Sequence, residues 1–70
     1  MNYQETLNRL NTLLDCLQQH KVVCIDELLA SLEVPRTTLT RDIERLQNLG
    51  HEIEYCRKRR AYILIKQRIV

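Results

Sequence analysis

The sequence predicts a mainly α domain with a small β-sheet: three helices, a short strand between the first two, and a C-terminal β-hairpin. Three observations lead there. Apolar residues recur at three- and four-residue steps in three separate stretches, as the buried stripe of a helix requires. Beyond Gly50 the pattern changes to alternation, the mark of half-buried strands. The single proline and the single glycine stand at boundaries between such stretches, so each punctuates the chain without interrupting an element.

Seventy residues make one domain with a small core, in which almost every apolar residue must help bury something. We take residues 1–65 as that domain. The tail at 66–70, "KQRIV", is expected either to fray or to begin an assembly contact.

In the first helix, Asn2 to Gln19 at the widest, Tyr3, Leu7, Leu10, Leu14 and Leu17 form one stripe with Leu13 beside it. "HKVVC" breaks that period, and its β-branched pair predicts a very short strand. The second helix runs from about Ile25 to Leu32 and buries Leu28, Leu29 and Leu32. Cys24 stands where a Ser or Thr cap belongs, three residues before Glu27, so Asp26 is expected to supply the cap instead. Val34-Pro35 stops this helix, because the residue before a proline is pushed out of helical geometry. Pro35 then opens the third helix at its first turn, where its missing N–H costs nothing.

Leu39, Ile43, Leu46 and Leu49 are the stripe of this third helix, and Gly50 closes it in a left-handed conformation. In the hairpin, Ile53 and Tyr55 alternate with Glu52 and Glu54. Tyr62 and Leu64 alternate with Ala61, Ile63 and Ile65. The basic run Arg57-Lys58-Arg59-Arg60 makes the connection.

Composition narrows the chemistry. Cys16, Cys24 and Cys56 are odd in number and share no short spacing, so neither a metal site nor a disulfide framework is expected. Cys16 and Cys24 read as small apolar residues in a reducing compartment. No apolar run approaches the length of a membrane span, and a cytoplasmic, nucleoid-associated protein is expected. His20 and His51 fall in boundary turns, with no cysteine or paired carboxylate beside them. Neither an enzyme nor a bound cofactor is therefore expected.

Charge is unevenly divided. Up to Val34, Arg9 and Lys21 oppose Glu5, Asp15, Asp26, Glu27 and Glu33, a net of −3. From Pro35 onward nine cations oppose Asp42, Glu44, Glu52 and Glu54, a net of +5. A basic half on an acidic support suits a polyanion.

A short helix, a tight turn and a longer helix form a helix-turn-helix, whose second helix enters the major groove of DNA. With Leu39, Ile43 and Leu46 inward, Thr37, Thr40, Arg41, Glu44 and Asn48 point broadly outward, and Arg36 and Thr38 flank them on the first turn. That turn offers free N–H groups and the positive end of the helix dipole to phosphate. Short hydroxyl side chains permit close approach, and arginine can read guanine bidentately. Arg57, Lys58, Arg59 and Arg60 at the hairpin tip can neutralise phosphates or straddle a minor groove. The candidate DNA contacts are these four with Arg36, Thr37, Thr38, Thr40, Arg41 and Arg45.

The segment "ELLASLEVPRTTLTRDIERLQNLGHEIEY…AYIL" resembles the winged helix-turn-helix module at the N-terminus of WYL-domain transcriptional regulators. It is similar, more loosely, to the modules of the deoxyribose-repressor family and the biotin-ligase repressors. The resemblance covers roughly Leu10 to Leu64 and is most specific over Thr38 to Leu46, followed by Leu49-Gly50 and Ile53. It implies a three-helix winged helix-turn-helix, with a recognition helix over about 35–49 and the basic hairpin as wing. It also implies that Asp42 is structural, pairing with a cation or capping a neighbouring element. The chain departs from the pattern at Leu29, where alanine is usual, and at Glu33, where the turn often has glycine. Pro35 replaces the hydroxyl cap, and Arg60-Ala61-Tyr62 replaces a Gly-Gly-Tyr segment.

The resemblance implies a sequence-specific regulator of bacterial transcription, a repressor more than an activator. In such families a C-terminal domain senses an effector or dimerises, and this chain ends where that domain would begin. The expectation is an excised domain or a free-standing small regulator. A homodimer is the natural expectation for an operator binder, with Tyr3, Leu13 and Ile69-Val70 as candidate contacts. The alternative is a winged-helix interaction module that docks an acidic partner protein. A variant holding an iron–sulfur cluster would need several cysteines in the wing, and only Cys56 is near it.

Overall fold

The computed structural model describes residues 3–68. Three helices precede a hairpin: α1 is Tyr3–His20, α2 Ile25–Leu32 and α3 Arg36–Asn48, with strands β1 Val22–Cys24, β2 Glu52–Cys56 and β3 Ala61–Lys66. The strand order is β1-β3-β2, both pairings antiparallel. The last strand is thus the central one, and the wing hairpin is joined to the helical part through β1.

The helical stripes converge on one core. Leu10, Leu13 and Leu17 of α1, Ile25 and Leu28 of α2, and Leu39, Ile43 and Leu46 of α3 are buried with Val23, Ile53 and Leu64 of the sheet. Two expectations for α1 change. Tyr3 is 78% exposed, because the stripe extends past the end of the core it serves. Leu13 is completely buried, so it packs the interior and is no assembly contact. The other proposed contact, Ile69-Val70, lies outside the described residues, as does the expected helix start at Asn2.

All three helices end on a residue with positive φ. Lys21 (φ 62°) and Glu33 (φ 53°) follow α1 and α2, and their N–H groups return to the Leu17 and Leu29 carbonyls, both at 2.8 Å. After α3 that position is Gly50, φ 105°. There the Gly50 N–H reaches the Gln47 carbonyl at 3.0 Å and the His51 N–H the Leu46 carbonyl at 3.2 Å. That pair of bonds is the Schellman closure, as the glycine's place in the sequence predicts.

The start of α2 departs from expectation. Neither Cys24 nor Asp26 caps it with a side chain. The Ile25 N–H instead donates to the Arg60 carbonyl at 2.8 Å, so the wing turn closes the helix. Cys24 is exposed, not a small core residue, while Cys16 is half-buried against the core. Pro35, extended at φ −65° and ψ 156°, stands just before the first residue of α3 rather than inside it.

In the sheet, Ile53 faces Leu64 in the core and Tyr55 faces Tyr62, with ring centroids 5.2 Å apart. Pairing shifts between Glu52 and Ile53, which leaves Ile65 bulged and exposed. Ala61, expected on the outer alternation, is fully buried. It lies in the middle strand, with Cys24 and Cys56 as its partners on either side.

Candidate nucleic-acid interface

The position of α3 is fixed from three sides. Its apolar stripe enters the core. Gln47 Nε2 donates to the Ile53 carbonyl at 2.9 Å, which ties α3 to β2. Asp42, 0% exposed, is held by two arginines. Arg9 of α1 binds it through Nε to Oδ2 and through Nη2 to Oδ1 at 3.1 Å. Arg45, one turn further along α3, donates from Nη1 to Oδ1 at 2.6 Å. The bond to Asp42 holds the Arg9 proton more firmly than an arginine's ordinary value, against the opposing effect of burial. The structural role implied for Asp42 is therefore what it performs.

With those residues committed inward, Arg36, Thr37, Thr40, Arg41 and Glu44 line one open concavity on the outer side of α3. Arg36, Thr37, Thr40 and Arg41 are all exposed, and Thr38, between them in sequence, is half-buried. The Thr40 hydroxyl donates to the Arg36 carbonyl at 3.1 Å, leaving its oxygen lone pairs to face outward. At the helix start, the Pro35 carbonyl accepts from Thr38 and Leu39 at 3.0 and 3.1 Å. Proline has no side-chain acceptor for the two N–H groups before them, Arg36 and Thr37, and no acid occupies this turn. An anion can bind there.

Arg45, a candidate DNA contact, and Asn48, expected to point outward, lie away from this concavity. Arg45 is half-exposed but engaged with Asp42, and it lines a different groove with Asn48, Tyr3, Thr6, Leu7, Leu10 and Leu49. That groove is mainly apolar, and Tyr3 and the 52% exposed Leu49 stand on it. Its two halves come from opposite ends of the chain's helical part, so periodicity within either helix could not show it.

The wing cations Arg57, Lys58, Arg59 and Arg60 are all exposed in the turn between β2 and β3. Arg60 adopts φ 48°, a left-handed conformation that favours glycine, and its N–H closes the turn on the Arg57 carbonyl at 3.3 Å. Its own carbonyl receives Ile25, so the wing sits at the first residue of α2 while α3 begins beyond the last. The eight residues of α2, about 12 Å long, and the short turn after it thus lie between the two basic elements along the chain.

Among the described residues, no group of His, Cys, Asp and Glu could hold a metal ion, and no helix is long and apolar enough to cross a membrane. A family model for the HTH domain matches residues 9–63. No curated protein and no solved structure matches the chain significantly.

Proposed function

The chain belongs to the HTH domain family, a family of DNA-binding modules, and we propose that it is a sequence-specific regulator of transcription. In this reading α3 enters the major groove of double-stranded DNA, and the wing lies on the adjoining phosphates or minor groove. The observation that carries it is the concavity of Arg36, Thr37, Thr40 and Arg41 beside an uncapped helix start. Arg36 and Arg41 make no ion pair there among the described residues. Such a surface suits phosphates and base edges.

The two basic elements divide the work. Arg41 is the base reader, with Arg36, Thr37 and Thr40 on bases and phosphates at the helix start. Thr38, half-buried, contributes at most at the edge of this surface. Arg57, Lys58, Arg59 and Arg60 supply affinity common to all sequences. Arg45, held by Asp42 and lining the other groove, drops out of the contacting set in this reading. We take repression over activation in this reading, and the Thr38 to Leu46 run favours the WYL-type group.

The apolar groove at Tyr3, Leu7, Leu10 and Leu49 supports a protein contact on a different side from the basic concavity. We assign it to a second copy of the chain on a two-fold operator. The second reading of the chain is that its basic surface docks an acidic partner protein in place of DNA. Selection from fragmented genomic DNA at physiological salt tests both. Recovery of a palindromic motif supports the dimer, and an unsymmetrical motif supports a monomer. Recovery of no motif by folded protein would overturn the DNA reading in favour of the acidic partner.

A further inference from the structure

Glu44 is the anomaly of the concavity. It is exposed on the same face of α3 as Thr40 and Arg41, one turn beyond them, and lines the same surface. Arg41 is three residues away, within reach of a helical ion pair, yet Glu44 forms no ion pair among the described residues. A carboxylate there is costly for a surface that meets a polyanion carrying one charge per roughly 1.7 Å of axis. It gains nothing from phosphate and weakens binding to every sequence alike, unless a donor on the DNA meets it.

In the major groove only two groups donate: the N4 amino group of cytosine and the N6 amino group of adenine. On adenine the donor sits beside N7, an acceptor that repels the second carboxylate oxygen. Cytosine presents its amino group without that neighbour. Resting on the DNA-binding reading above, we propose that Glu44 is a specificity-determining residue, and that it accepts a hydrogen bond from the N4 amino group of a cytosine. The rise from Arg41 to Glu44 is about 4.5 Å, so this cytosine lies within about two base pairs of the base read by Arg41. The same carboxylate penalises every site that lacks an amino group there, so one residue both rewards the right base and rejects the rest.

The test is motif selection from a random-sequence duplex library with the unaltered chain, Glu44→Gln and Glu44→Ala. Both variants keep good helix formers at an exposed position, and circular dichroism checks the fold. The unaltered chain is expected to select a motif with a fixed cytosine, disfavouring other bases by roughly tenfold or more. Glu44→Gln should move that position toward adenine, whose N6 and N7 suit an amide. Glu44→Ala should leave it degenerate, with the rest of the motif intact and binding to unrelated DNA stronger by a few-fold.

An identical motif from all three proteins would overturn the assignment of Glu44 while leaving the DNA reading in place. No motif from the folded, unaltered chain would overturn both.

Discussion

Arg9 on the first helix grips both carboxylate oxygens of Asp42 on the third, across 33 positions of sequence. The contact fixes the rotation of α3 about its own axis, and so decides which residues face the groove of DNA. It also places a fully buried charge at the heart of a small domain, where removal of one partner costs far more than the pair contributes.

Arg9→Met should therefore lower stability by about 3 kcal/mol or more, leaving Asp42 with Arg45 alone. Urea denaturation with an unchanged m-value checks this. A loss below about 1 kcal/mol would mean that Arg45 and water suffice for Asp42.

Glu33→Gly should stabilise the domain by about 1 kcal/mol, since left-handed geometry costs most residues about that much. For a domain of this size the melting temperature should rise by roughly 4–8 °C. Gly50→Ala tests the same physics in reverse. It would strain φ and bring a Cβ within 2.6 Å of Arg68 Cδ, and the melting temperature should fall.

Arg41→Ala should weaken binding to the best operator by about 1–3 kcal/mol and relax one position. Lys58→Ala should instead weaken all sequences alike and lower the salt slope by about 1. Titrations at several salt concentrations separate the two. Normal operator binding by Arg41→Ala would sink the assignment of α3.

Burial first, and the charge of Glu27 second, push the Cys16 thiol above its ordinary range. In the unfolded chain this thiol ionises near pH 8.5, while the folded chain keeps the proton to higher pH. Stability contributed by that thiol is thus present at neutral pH and lost as pH rises beyond about 8.5. Cys16→Ala should flatten the alkaline decline, measured by denaturation at neutral and alkaline pH. Exposed Cys24 should react with a thiol reagent before Cys16 at any pH between.

What the sequence discloses divides along range. The stripe Leu39, Ile43, Leu46 sets the face of α3, and Gly50 sets its end, because both act within a few residues. Periodicity misplaces Tyr3 and Ala61 because it says which side a residue takes, not how far the core extends along it. The Arg60 carbonyl on Ile25, the commitment of Arg45 and the groove between Tyr3 and Leu49 join distant segments, which no local pattern registers. Sequence shows Arg9 only as a charge for the same reason: its partner is 33 residues away.

The strand order has a consequence for how this chain comes into being. β3 is central, yet of these six elements it is made last, so β1 waits from Val22 until its partner Ile63 has left the ribosome. Three helices can collapse early, since their contacts are local and quick to form. The sheet must close afterwards across some forty residues, with the wing and the cap of α2 arriving in the same step. A stall in synthesis before β3 would release a helical intermediate with an open strand edge, the form most prone to aggregate.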